Sequence, residues 1–218
     1  MERTQLALLA VEALKAQYPD ALCSLDYQDP LQLLISTRLA AQCTDARVNL
    51  VTPALFARFP TLEAFCQGTE EEIGELIHSC GFYKAKSKDI LAACRKIRDE
   101  FGGQVPDNME DLLSLPGVGR KTANLILGDI FHKPAVVTDT HCIRITGRLG
   151  LTKNTAPQKV EKDLWQVLPP EESNNFCHRT VLHGRAVCTA RKAMCDNCCM
   201  AEFCEKAGVN SQKHNCVL

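Results

Sequence analysis

The sequence contains no run of about 18 apolar residues, so no membrane-spanning helix is expected. It also lacks the uninterrupted apolar core of a secretory signal. Residues 1–20 carry Glu2, Arg3, Glu12, Lys15 and Asp20 among their apolar positions, which is the pattern of an amphipathic helix. A cytoplasmic location with no membrane partner is expected. Net charge is almost absent, at −1 over 218 residues, and by itself gives no sign of a polyanionic partner. Strand patterning is nearly absent too: only residues 135–138 look weakly extended, and no repeat or low-complexity segment is visible.

What the chain does have is helical periodicity almost throughout. Leu31, Leu34, Ile35 and Leu39 follow a 3.6-residue period, as do Val48, Val51, Leu55 and Phe56. Further helices are expected around residues 70–77, 84–101, 109–113, 120–131, 140–149, 157–168 and 172–187. Pro19, Pro60, Gly102-Gly103, Pro116-Gly117 and Pro169-Pro170 punctuate them. The expected fold class is all-α, as one large or two small domains. Local charge is less even than the total. Lys84, Lys86, Lys88, Arg95, Lys96 and Arg98 form one basic group, and Arg179, Arg185, Arg191 and Lys192 a second. Either group could be a binding surface or a solvated helix face.

The segment Leu115-Pro116-Gly117-Val118-Gly119 separates a short helix from a longer one. Gly117 and Gly119 let the chain turn tightly and approach another molecule. The first amides of the second helix have no intrahelical partner and carry the positive end of its dipole, so they suit an anion such as a DNA phosphate. A plain helical hairpin would also satisfy the glycines. The continuation Arg120-Lys121 argues for more, because stability would place an acidic residue in that first turn. A lysine there, if partly desolvated, has its charged form disfavoured, and its free amine becomes available as a nucleophile. Such an amine could attack a sugar C1′, displace a base and leave a Schiff base.

Asp139 precedes an apolar-periodic helix and reads first as an N-cap. A carboxylate there could also take the amine's proton, or stabilise positive charge on the sugar as the glycosidic bond breaks. The chain has thirteen cysteines. An odd count argues against a fully paired disulfide framework, and Cys23, Cys66, Cys80, Cys94 and Cys142 read as small apolar residues. Cys188, Cys195, Cys198 and Cys204 differ: their C-x6-C-x2-C-x5-C spacing reads as a metal site. Zinc and a four-iron cluster both take four thiolates, and spacing alone does not choose between them.

Together these segments resemble the endonuclease III family of DNA glycosylases, from about Pro30 to Cys204. The resemblance implies a helix-hairpin-helix DNA glycosylase fold, with a six-helix domain over residues 22–133. Residues 1–21 and 134–218 would form an iron–sulfur cluster domain. It implies that Lys121 is the catalytic lysine, that Asp139, followed by Thr140 and His141, is the catalytic aspartate, and that the four cysteines hold a [4Fe–4S] cluster. His183-Gly184-Arg185 belongs to the same signature. Gln42, within Ala41-Gln42-Cys43-Thr44-Asp45, would enter the gap left by a flipped base. Phe82, within Gly81-Phe82-Tyr83, would wedge into the stack. Gly117, Gly119, Arg120, His141, Arg185, Arg191 and Lys192 would contact DNA. Thr138, Cys199 and Ala40 stand where the family commonly has valine, proline and serine.

The expected activity is base excision of damaged pyrimidines from double-stranded DNA by a monomer. The damaged nucleotide would be flipped out, since its reacting atom is unreachable inside the duplex. Lys121 would attack C1′, assisted by Asp139, and β-elimination would cut the strand 3′ to the abasic site. Two rivals remain: a glycosylase for thymine or uracil opposite guanine, and a non-catalytic helix-hairpin-helix DNA-binding module with a structural metal.

Overall fold

The computed structural model describes residues 1–209; the last part of the expected second domain, residues 210–218, lies outside them. Along the described residues run α1 (Arg3–Gln17), α2 (Pro30–Leu39), α3 (Asp45–Arg58), α4 (Leu62–Gln67), α5 (Glu70–Ile77), α6 (Tyr83–Glu100), α7 (Met109–Ser114), α8 (Arg120–Asp129), α9 (Thr140–Leu149), α10 (Pro157–Trp165) and α11 (Ser173–Ala186). No strand forms among these residues, and the protein is all-α. Residues 135–138 are buried irregular chain, and the one β-bridge joins Cys188 to Ala193. Their apolar character reflects burial without a partner strand.

The helix α4 was not expected. Its six residues are too few to show a period, although Thr61 starts it by accepting a hydrogen bond from the Ala64 amide at 3.1 Å. The helices α8 and α10 end two and three residues earlier than the pattern predicts, as expected where end turns fray.

The chain divides into two compact units. The first comprises Met1–Leu22 together with the chain from Val136 onward, and the second comprises Cys23–Ala135. The second unit holds α2 to α8. Its α6 packs against α2, α4 and α5, and buries Ile90, Leu91, Cys94 and Ile97 at helical spacing. Each such aliphatic side chain contributes about 1.5–3 kcal/mol when fully buried. The α7–α8 hairpin leans on α2.

The first unit is organised by α11, which packs on α9 and α1. Glu172 ties α1 to α11: it accepts from Lys15 Nζ at 2.5 Å and from Arg179 Nη1 at 2.7 Å. Arg179 is therefore a buried structural residue, contrary to its expected place in a surface basic group. A guanidinium so placed costs more than it contributes unless paired, and Glu172 supplies the pairing.

Candidate active site and cysteine loop

After α7 the chain turns with the Val118 amide donating to the Leu115 carbonyl at 3.1 Å. Gly117 has φ +73°, and a Cβ there would lie 2.7 Å from Arg38 Nε and 2.9 Å from Asp89 Cβ. Those two residues form an ion pair between α2 and α6, with Arg38 donating through Nη2 at 2.6 Å and Nε at 2.9 Å. The turn thus rests directly on a charge pair that braces two helices. Arg38 and Asp89 lie 51 residues apart and give no local signal in the sequence.

Six helices start on an Asp, Asn or Thr side chain that accepts a first-turn amide: Asp29, Thr44, Thr61, Thr69, Asn108 and Asp139. The helices α1, α6, α8, α10 and α11 have neither a side-chain cap nor an acidic residue in the first turn, and α8 starts on Gly119. Gly119 has an ordinary φ of −103°, and a Cβ there would meet nothing within 4 Å. The fold itself therefore does not require glycine at 119, whereas close approach by another molecule would. Arg120 and Lys121 are exposed on this first turn. The expected partial desolvation of Lys121 is not present in the protein alone, because the first turn of α8 projects beyond the buried stripe that begins at Ala123.

Asp139 is the N-cap of α9, accepting from the Cys142 amide at 2.7 Å through one carboxylate oxygen. Two residues on, His141 Nδ1 lies 3.1 Å from Arg144 Nη2. Arg144 also donates to the Gly184 carbonyl and, through Nε, to the Cys188 carbonyl, each at 3.1 Å. The close passage of α11 under α9 requires Gly184, since a Cβ there would lie 2.4 Å from His141 Nδ1.

Cys188, Cys195, Cys198 and Cys204 are half-buried and line one small cleft that opens to solvent. Several donors point at their sulfurs. Arg148 Nη1 lies 3.3 Å from Cys188 Sγ, and the amides of Met200 and Lys206 lie 3.4 Å from Cys198 Sγ and Cys204 Sγ. Arg148 also donates to the carbonyls of Thr189 and Ala190, at 2.8 and 3.1 Å. The buried His183 stands between Tyr18 Oη and Cys198 Sγ, each 3.3 Å away. Among the described residues no three His, Cys, Asp or Glu form a group that could hold a metal ion. A hydrogen bond with Cys199 pushes the Cys198 thiol up to about 12, and burial raises that of Cys204, so metal binding here must displace protons.

In the second unit, Gln42 lies in the α2–α3 connection and Phe82 immediately precedes α6. Both are exposed and both occupy left-handed backbone, with φ +55° and +49°. That region is unfavourable for any residue but glycine, and for a phenylalanine it is a marked outlier. Arg185, Arg191 and Lys192 are exposed in the first unit, as are Lys84 and Lys88 in the second. Lys86 is not with them: it is 1% exposed, a departure from the basic surface run that its neighbours suggest.

A model of the HhH-GPD superfamily of base excision DNA repair proteins matches residues 35–170. Endonuclease III of Synechocystis sp. is 55% identical to this chain over 195 residues, 89% of each protein. Among solved structures, a trapped covalent endonuclease III–DNA intermediate, an estranged-adenine complex, matches with a TM-score of 0.88 at 36% identity over 94% of this chain and 97% of that one. A thermostable thymine-DNA glycosylase shares the fold, with a TM-score of 0.84 at 20% identity over 93% of this chain.

The two hairpin glycines differ in what surrounds them, so their alanine variants should differ in stability. Gly117→Ala meets both a left-handed φ and the Arg38–Asp89 pair, and should cost about 2–4 kcal/mol in denaturant unfolding. Gly119→Ala meets open space and should stay within about 1 kcal/mol of the parent protein. Equal costs would show that the ion pair does not buttress the turn.

Proposed function

The chain belongs to the HhH-GPD superfamily and within it to the endonuclease III family, DNA glycosylases with AP lyase activity in base excision repair, and on that footing we propose that Lys121 and Asp139 perform its chemistry. The observation that carries this assignment is the first turn of α8. An exposed lysine stands there beside uncapped amides, in the place where helix stability favours an acid. Those amides, with Gly117, Gly119 and Arg120, would hold a phosphate of the damaged strand. Docked DNA would supply the desolvation of Lys121 that the protein alone does not.

In the reaction, the Lys121 amine attacks C1′ of the flipped nucleotide as the bond from C1′ to the damaged base breaks, and the base leaves with a proton. Asp139 accepts the amine's proton, using a carboxylate of which one oxygen is engaged in the helix cap. The sugar ring opens to a Schiff base with Lys121. Loss of a C2′ proton and departure of the 3′ phosphate then cut the strand, and water releases the enzyme. Gln42 and Phe82 would fill the space vacated in the duplex. Their strained, exposed backbone supports this role, since such strain concentrates at functional positions. The substrate class we assign is the damaged pyrimidine in double-stranded DNA, acted on in the cytoplasm.

Cys188, Cys195, Cys198 and Cys204 would hold the [4Fe–4S] cluster. A cleft lined by all four thiols, with N–H donors near three of their sulfurs, fits such a group, and the endonuclease III family membership favours iron over zinc. The cluster would supply structural closure of the loop. It would fix Arg185, Arg191 and Lys192 where phosphates pass, and His141 would add a contact from α9.

Three expected outcomes follow. Lys121→Gln should abolish strand cutting while DNA binding survives, because the backbone amides do not depend on that side chain. Asp139→Asn keeps a capping oxygen, so thermal stability should barely move, while turnover falls by roughly 10²–10⁴. Full turnover in Asp139→Asn would reduce Asp139 to a cap. Third, freshly purified protein should contain about four irons per chain and absorb broadly in the visible. Stoichiometric zinc without iron would overturn the cluster assignment.

A further inference from the structure

Lys86 is the buried residue of α6 that the chemistry above does not use. It is 1% exposed, and its Nζ donates to the Leu39 carbonyl at 2.8 Å and the Cys80 carbonyl at 2.9 Å. Leu39 ends α2, three residues before Gln42, and Cys80 lies two residues before Phe82. One ammonium group therefore fastens the roots of both loops assigned to the base stack. The first turn of α6 holds the second segment as well, since the Lys86 amide donates to the Phe82 carbonyl at 3.0 Å.

Stability alone does not explain a lysine here. Burial disfavours its charge and pulls its pKa below the usual lysine range. An apolar side chain of similar length would avoid that cost but leave the Leu39 and Cys80 carbonyls without this donor, so what the lysine adds is the link between those two segments. A buried polar group is often retained where it fixes one arrangement over near alternatives. Strained backbone at Gln42 and Phe82 persists only if its surroundings over-determine it, and the shared ammonium is such a determinant.

We infer that Lys86 is a positioning residue whose buried ammonium, shared between the carbonyls of Leu39 and Cys80, sets Gln42 and Phe82 at one fixed spacing so that they enter the base stack together. The inference rests on the proposal that these two residues enter the stack.

The test uses the full-length protein and a duplex with 2-aminopurine next to a damaged pyrimidine, where fluorescence rises as the stack opens. Lys86→Met keeps the stem and removes the donors. It should blunt the fluorescence rise and lower kcat for base excision roughly 10- to 100-fold, the scale of a small misplacement in a preorganised site. Cutting at a preformed abasic site, where no base remains to be displaced, should fall by less than about threefold. Lys86→Arg, which restores donors, should recover much of the loss. Equal losses on both substrates, or none on either, would overturn the inference. If Gln42→Ala and Phe82→Ala leave fluorescence and excision unchanged, it is the stack assignment that fails. Should neither Lys86 variant fold, a double-mutant cycle of Gln42→Ala and Phe82→Ala decides the matter. Effects on excision that multiply to within about twofold would overturn joint positioning, and a larger mismatch would support it.

Discussion

The arrangement of the hairpin depends on one contact, the seat of Gly117 on the Arg38–Asp89 ion pair. A side chain at 117 would occupy the space of the guanidinium, so the turn can lie where it does only without one. With the turn fixed, α8 begins on an uncapped glycine, and its first amides, Arg120 and Lys121 face outward. The other hairpin helix, α7, begins on the Asn108 side chain in the ordinary way. One hairpin helix thus has a side-chain cap at its start and the other has none. A partly exposed ion pair is a modest source of stability by itself. Here its use is to define a surface against which a tight turn can rest.

A comparable economy governs the first unit. Arg144 and Arg148, both on α9, spend their donors on the main chain at residues 184 and 188–190, where the cysteine loop begins. The helix that Asp139 caps is therefore tied along its length to the loop that carries the four thiols. Loop and helix hold each other, so the proposed cluster would contribute to the placement of Asp139 without taking part in bond chemistry. The loop has little apolar content of its own, with Met200 its buried hydrophobic residue, which makes a bound metal the natural source of its order.

Much of this was legible in the sequence, for identifiable reasons. Apolar residues at helical spacing disclosed the all-α class. Lys121 stood out because it breaks the dipole rule, and the cysteines because four thiols within seventeen residues have few other uses. What stayed hidden depends on pairs distant in the chain. Lys86 lies between Lys84 and Lys88 and reads as one more solvated base, yet only its neighbours are exposed. Arg179 reads as a surface charge until Glu172, which also pairs with Lys15 of α1, meets it. No local pattern marks Arg38 and Asp89 as partners. Periodicity could not reveal α4 because a six-residue helix completes fewer than two turns.

The account stands or falls on which amine reacts. Borohydride reduction during turnover on a damaged duplex should fix the protein to DNA, and digestion followed by mass spectrometry locates the attachment. The account predicts a single modified peptide spanning Arg120-Lys121-Thr122, with the mass of the sugar remnant on Lys121. An adduct on another lysine or on the N-terminal amine, with Lys121 unmodified, would contradict it.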